Sequence, residues 1–389
     1  MKILYHHRTG AKDGQAVHIE ELIHALRAQG HEVVVVSPAG DDRGATSGRF
    51  AALRRRLPKF VYELLEVAYN VPVYLKLSRA VREHSPDVLY ERHNLYLYSG
   101  ALLAWRYRLP YLLEVNSPMA IERATHGGLV FQRFARVSEN WVWRRADLVL
   151  PVTRVLGSIV EASGVKASRI AIVPNGIDPT RFVEPISIDK AKAALGIASG
   201  VTVLGFTGFV REWNAVDRVI RLIERPGNEH LFLLMVGDGP ARRSLESLAE
   251  SLGVDGRVRF TGVVGRDDVA RYVAAFDVAL QPAANPYASP LKLIEYLALG
   301  RAVVAPDQSN LREILQHGAN AVLFDPNADD GLEKAISLLV SDPTLRARIG
   351  AAARATVERE NLTWENNARR VAALADRIVE QRSGRPVTA

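Results

Sequence analysis

Two charged residues three positions apart, Lys292 and Glu295, stand in the segment SPLKLIEYLALG (289–300), between the short apolar runs DVALQP (277–282) and AVVAP (302–306). That order predicts strand, loop, helix, strand. Ser289 reads as the N-cap, Pro290 as the first helical residue and Gly300 as the stop. Leu291, Ile294 and Ala298, with Leu293 and Leu297, form the apolar stripe. A capping helix carries Glu or Gln at its third position, where the dipole favours negative charge. This chain has Lys292 there. A cation at the positive end of a helix makes sense where an anion is to be held by free backbone N–H groups and the ammonium together. Glu295 lies on the same face one turn deeper and can accept from sugar hydroxyls. Phosphate clamp and hydroxyl acceptor together are the chemistry of a nucleotide site. An ordinary surface helix whose Lys and Glu pair at i, i+3 is the alternative that this stretch alone leaves open.

The elements that must position these groups follow from alternation. Strand signals and helical patterns alternate from end to end, the pattern of parallel α/β sheets. The first series is KILYHH (2–7), HEVVVVSP (31–38), PDVLYER (86–92), RLPYLLEVNSP (108–118), ADLVLPVT (146–153) and RIAIVPNGID (169–178). The polar strand ends, Glu91 and Arg92, Asn116 and Ser117, and Thr153, are expected to gather at one edge of the sheet, where open α/β sheets bind ligands. Gly10 and Gly14 let backbone approach a ligand after the first strand. The loop is not GxGxxG, so a hydride-transfer dinucleotide fold gains no support. His18 and Glu21 fall in the following helix, where a histidine is more often a packing residue than a catalyst. Asn116 is placed to orient a sugar hydroxyl or, equally, to close a turn before Pro118. Trp141 and Trp143 read as helix packing residues. A second series runs VTVLGFTGF (201–209), HLFLLMVGDGP (230–240), VRFTGVV (258–264), DVALQP, AVVAP and NAVLFDP (320–326), with the polar stretch up to about residue 199 as the linker. Gly208 ends its first strand, and Arg211 in the next loop is placed to reach the same anion as Lys292.

The chain has 389 residues, 48% of them hydrophobic, which predicts two domains with ample cores. No apolar run is long enough for a membrane span, the first residues read as a strand rather than a leader, and there is no cysteine. A cytoplasmic protein is expected. Net charge is +7, and residues 1–183 carry 25 Lys and Arg against 17 Asp and Glu, so the excess lies in the first half. Arg43, Arg49, Arg54, Arg55, Arg56 and Lys59 precede the apolar, aromatic run FVYELLEVAYNVPVYLKLSRAV. Residues 43–82 are therefore expected to rest on an anionic membrane surface, at the inner face of the plasma membrane; a solvated basic loop before a core helix is the alternative. No DxD, HExxH, CxxC, GxSxG or Gly-Lys-Ser/Thr loop occurs, so nothing calls for a metal.

These motifs in this order, VPNGID…RF, GFTGF…REW, MVGDGP…L, RVRFTGVV, AFDVALQP, SPLKLIEYLALGRAVVA and LTWENNARRVAALA, with HIEELIHALRAQGHEV in the first half, resemble the retaining GT-B glycosyltransferases of family four, in a subset with SPLKLxEY. The resemblance covers nearly the whole chain. It implies two doubly wound, Rossmann-like domains facing a cleft: an acceptor-side domain at 1–185 and a nucleotide-sugar domain at 186–363. A helix from 364 to 389 returns to the first domain. It implies that Lys292 and Arg211 contact the donor diphosphate, together with Gly14, Gly208, Ser289 and backbone N–H groups around Pro290 and Leu291. Glu295 holds the ribose, and the loop after VRFTGVV lines the base. Asn116 stands where the family has a histidine, and with His18 it is placed among the catalytic groups. Tyr287 replaces the first glutamate of the usual E-x7-E pair. Phe209 and Asn214 stand near the usual Arg and Lys positions, leaving Arg211 as the cation. No protein nucleophile and no cofactor beyond the nucleotide sugar are implied, and the acceptor is a glycan or a lipid-linked sugar. Other readings are a nucleotide-sugar epimerase of similar shape, a degenerate scaffold or nucleotide-sugar sensor, and a nucleic-acid binder. The last rests only on the pI of about 9.6 and lacks any recognition motif.

Overall fold

The computed structural model describes residues 1–10, 14–38, 57–125, 128–182 and 187–383. Arg43, Arg49 and Arg54–Arg56 of the basic stretch lie outside them. The chain divides into two compact units, Met1–Pro174 with Glu365–Ala389, and Asn175–Trp364.

The first unit is built on five parallel strands: β1 (Lys2–His6), β2 (Glu32–Val36), β3 (Val88–Arg92), β4 (Tyr111–Val115) and β5 (Leu148–Pro151), in the order β2-β1-β3-β4-β5. β3 and β4 are buried along their whole length, as expected of strands covered by helices on both faces. Register then fixes which side chains meet. Tyr5 lies beside Tyr90, His6 beside Glu91, and Arg92 beside Glu114. The expected sixth strand at 169–178 does not form. Ala171 N and Val173 N donate to the Val149 and Pro151 carbonyls, but only Ile170 makes a bridge, to Val149. Pro174 then has no N–H to continue the ladder. The helix Trp364–Ser383 packs on this unit: Gln29 Nε2 donates to the Glu365 carbonyl at 2.7 Å, Asn367 Nδ2 to the Pro174 carbonyl at 2.7 Å, and Arg382 pairs with Asp147 at 2.5 Å.

The second unit has six parallel strands: β6 (Thr202–Thr207), β7 (Leu231–Val236), β8 (Val258–Phe260), β9 (Val278–Leu280), β10 (Ala302–Pro306) and β11 (Ala321–Phe324), in the order β11-β10-β9-β6-β7-β8. Apolar clusters cover both faces. Phe206, Val219, Leu233 and Ile336 belong to one; Phe276, Ile294, Leu297 and Val303 belong to the other. The polar stretch expected as the linker contains the helix Ile188–Ala194, anchored where Lys192 Nζ pairs with Asp277 at 2.5 Å and donates to the Val201 carbonyl. The unit accordingly begins at Asn175 rather than near 186, since the Asn175 side-chain amide and Ile177 are bonded to Ser289 and Leu362.

Each sheet reverses strand order once beside its first strand, between β1 and β3 and between β6 and β9. Ligands of open α/β sheets bind outside the carboxyl ends of the strands at such points. These two edges are where the candidate groups lie.

Candidate functional site

In the second unit the loop after β9 leads into the helix Leu291–Ala298. Side-chain amides hold the carbonyls of this loop. Asn310 Nδ2 donates to Asn285 O and Ala288 O at 3.1 and 2.7 Å, Gln308 Nε2 to Ala284 O at 3.2 Å, and Asn175 Nδ2 to Ser289 O. The expected Ser289 cap does not form. Pro290, not Ser289, is the N-cap, and no side chain caps the helix. Ser289 Oγ instead faces Asn175 N at 3.5 Å, because the loop is drawn toward residue 175. Lys292 is thus the second helical residue rather than the third. The first turn of the helix keeps N–H groups without intrahelical partners, an anion site in waiting.

The helix is not a surface one. Leu293, Ile294, Tyr296 and Leu297 are buried, and Gly300 stops it at φ +63° as expected. The buried Tyr296 hydroxyl accepts from Thr207 N and meets Thr207 Oγ1, at 2.8 and 3.1 Å, tying the helix to the end of β6. That tie sets Lys292 against Gly208. A Cβ on Gly208, whose φ is +117°, would stand 3.4 Å from Lys292 Cε and Nζ. The ammonium also lies 3.8 Å from the centre of the Phe206 ring, a cation–π contact. Gly208 N donates to Val236 O and Val210 N to Asp238 O, zipping the loops after β6 and β7 together; a Cβ on Gly237 would fall on the Gly208 carbonyl.

Among the described residues Lys292 and Glu295 make no ion pair with each other or with another group. The i, i+3 pairing that the sequence left open is absent. Burial pushes the Lys292 ammonium down to about 7, against the pull of Glu295. Burial pushes the Glu295 carboxyl up to about 7, against Lys292 and Arg266. A half-buried cation and a half-buried acid, both drawn toward neutrality beside free N–H groups, are the arrangement expected of a polar site awaiting a partner. The Arg211 guanidinium lies over the Phe209 and Trp213 rings, 5.0 and 4.9 Å from their centres, and Asn214 Oδ1 accepts from Arg211 N at 2.8 Å. Tyr287 is buried at 9% exposure.

At the β1/β3 edge of the first unit, where polar strand ends are expected to gather, stands a buried network whose pairings the sequence did not announce. Glu91, fully buried, accepts from Tyr111 OH at 2.6 Å and meets His6 Nδ1 at 2.5 Å. Glu114 accepts from Tyr90 OH at 2.8 Å and from Arg92 and Asn116, while His18 Nε2 lies 3.0 Å away. Burial alone would raise the Glu114 carboxyl, but His18 and Arg92, with the Asn116 amide, hold it well below the ordinary carboxylate range. Asn116 and His18, two expected catalytic groups, are therefore brought together on one carboxylate, with His18 itself buried. Gly14 opens the helix Gly14–Ala28. The missed residue, Glu114, carried one signal: a lone acid inside an otherwise apolar strand, which must find partners when buried.

The family profile described as Glycosyl transferases group 1 matches residues 187–356, and that of Glycosyltransferase Family 4 matches residues 12–181. The D-inositol 3-phosphate glycosyltransferase of Rhodococcus opacus is 29% identical over 308 residues, covering 75% of this chain and 68% of its own. The 2-deoxystreptamine glucosyltransferase of Streptomyces kanamyceticus is 26% identical over 261 residues, 64% and 65% of the two chains. Among solved structures, Anabaena Alr3699/HepE in complex with UDP and glucose superposes with a TM-score of 0.76 at 20% identity, over 97% of this chain and 99% of that one. WaaG, a glycosyltransferase involved in lipopolysaccharide biosynthesis, gives 0.69 at 18% identity over 99% and 100%. The structural likenesses speak to the fold, two parallel-sheet α/β units of GT-B type. With the two profiles together spanning most of the sequence, the chain belongs to the group 1, family four glycosyltransferases.

Proposed function

We propose that the chain moves a sugar from a nucleotide-diphosphate sugar to a glycan or lipid-linked acceptor, with retention of anomeric configuration and without a metal. One observation carries the reading: Lys292 and Glu295, unpaired and drawn toward neutrality, at an uncapped helix N-terminus against Gly208. A diphosphate there accepts from the N–H groups and restores the proton to Lys292. Arg211 adds charge from its aromatic clamp, and Glu295 accepts from the ribose. The charge that builds on the departing diphosphate is met by fixed donors, and the diphosphate takes the acceptor proton on the same face. Asn116, held by Glu114, orients the acceptor, and His18 keeps that carboxylate charged. Exposed Phe60, Leu64, Leu65, Val71 and Leu75, with Lys59, Lys76, Arg79 and Arg82 on the same two helices, Lys59–Ala68 and Asn70–His84, favour docking on an anionic membrane face of the cytoplasm. Among the described residues no helix is long and apolar enough to cross a membrane.

The test is a thermal-shift panel against UDP-, GDP-, ADP- and TDP-sugars, with Glu295→Ala and Lys292→Met alongside. One donor at about 100 times its Kd should stabilise the protein by about 2.7 kcal/mol, and the shift should vanish in Glu295→Ala. Lys292→Met should lower transfer by about 10²–10³-fold. A well-folded protein that responds to no donor sinks the reading.

A further inference from the structure

The first unit holds a pocket of about 90 Å³ at the carboxyl ends of β1 and β2. His7 and Arg8 line it from the end of β1, Ser37 from the end of β2, and Tyr69 and Lys76 from the helical segment beyond. Among the described residues no lining residue carries a carboxylate, and Glu66 beside Arg8 is shared with a second cation, Arg123. Among the described residues two of the pocket's donors, His7 Nδ1 and Arg8 Nη1, are buried without a hydrogen bond, though Arg8 Nη1 is ion-paired with Glu66. Arg8 Nη1 stands 3.7 Å from Glu66 Oε1, and its guanidinium is fixed over the Tyr69 ring at 4.9 Å. Lys76 Nζ donates to the Ser37 carbonyl at 2.7 Å, which leaves two of its three N–H groups for something else. Buried donors are ordinarily partnered, so these two are suited to an acceptor. The charge around them asks for an anion. Pockets for whole small molecules run to roughly 300–1,000 Å³; this one matches a single tetrahedral oxyanion.

We infer that this pocket holds a phosphate group carried by the acceptor, so that the acceptor is a phosphorylated compound: a sugar or polyol phosphate, or a lipid-linked phosphate. Arg8 and His7 Nδ1–H donate to its oxygens, and Lys76 closes it from the rim. Burial, with His6 and Arg92 near, holds the His7 imidazole down to about 4, so at neutral pH the ring is neutral and meets an arriving dianion as an N–H donor, with no proton transferred. The inference rests on the transfer reading above, and its test keeps the two apart.

Inorganic phosphate is titrated into the full chain while the His7 ring is followed by ¹H–¹⁵N NMR, its signals assigned with His7→Gln and chloride serving as the ionic-strength control. A saturable His7 response is expected, weakened by about tenfold or more in Lys76→Met and unchanged in Lys292→Met. No saturable response, an equal response in Lys76→Met, or a response lost only in Lys292→Met overturns the site. Competition then separates the sources. A soluble polyol phosphate that displaces phosphate marks a free acceptor; vesicles of phosphatidylcholine with polyisoprenyl phosphate that displace it mark a lipid one. Displacement by neither overturns the acceptor assignment. Loss of the phosphate response with the donor shift intact overturns this inference alone. A donor shift missing beside an intact phosphate response overturns the transfer reading instead.

Discussion

The two strand-order reversals are furnished in opposite ways. At β1/β3 the acids are spent: Glu91 on Tyr111 and His6, Glu114 on Tyr90, Arg92, Asn116 and the nearby His18. At β6/β9 the acid and the cation are left unpaired on one helix, and burial drives both toward neutrality. The fold rule that places a site at the carboxyl ends of the strands is the same in both. What differs is whether the chain satisfies its own charges. A satisfied network fixes geometry and resists change. An unsatisfied pair costs stability until a ligand of complementary charge arrives. The first edge is accordingly a rigid floor, and the second a receptor.

The largest effect should come from breaking the floor. Glu114→Gln keeps the shape but removes the negative charge that compensates buried Arg92 and faces His18. Uncompensated buried charge costs about 3–5 kcal/mol, so urea unfolding should show a loss of that order. Glu295→Gln, by contrast, replaces a carboxyl already drawn toward its neutral form and should cost less than about 1 kcal/mol in the absence of donor. Equal losses in the two variants would erase the distinction between the edges.

How much of this was legible in the sequence follows the same division. The receptor could be read because its parts are contiguous: Lys292 and Glu295 share one helix whose stop at Gly300 and stripe of Leu and Ile are local signals. Eleven strands could be read from apolar runs and turn residues. The cap could not, because Ser289 is a good N-cap only if the loop leaves its hydroxyl free, and Asn175, far away in the chain, captures the loop. Nor could the helix Ile188–Ala194 be told from a polar linker, since its anchor, Lys192 on Asp277, is a long-range pair. The floor was hidden for the same reason. Glu91 and Glu114 become a site only when the parallel register sets His6 beside one and Arg92 beside the other, and register is a property of the sheet. In the sequence Glu91 reads as a polar strand end, and Glu114 as part of an apolar strand.

A smaller effect should sharpen the receptor side. Glu295, raised to about 7, binds a proton in the folded state between the ordinary carboxylate range and pH 7 that the unfolded chain has lost, so its contribution falls as pH rises through that window. Lys292, lowered to about 7, has lost a proton in the folded state that the unfolded chain keeps up to the ordinary lysine range, so its contribution rises as pH climbs from 7. Together they place a minimum near pH 7 in the wild-type stability, read as the difference from the variants. Glu295→Gln should remove the descending limb and Lys292→Met the ascending one, each with a slope of no more than about 1.4 kcal/mol per pH unit. Glu114→Gln should leave that minimum in place. Saturating donor should fill it in, because a bound diphosphate keeps Lys292 protonated.

The smallest effect concerns how an arginine is held. Arg92 is fixed by a carboxylate, whereas among the described residues Arg211 is flanked by the Phe209 and Trp213 faces, both rings more than 40% exposed. An aromatic clamp orients a guanidinium without neutralising it, which suits a cation meant for a ligand. Cation–π contacts at exposed sites are worth about 0.5–1 kcal/mol, so Trp213→Ala should weaken donor affinity by about two- to fivefold in a binding titration and leave the unfolding midpoint in place. Arg211→Ala should cost more, since it removes the charge itself and not only its orientation. If Trp213→Ala matched Arg211→Ala in full, the ring would be contacting the donor directly, and the aromatic pair would belong to the receptor rather than to its mounting.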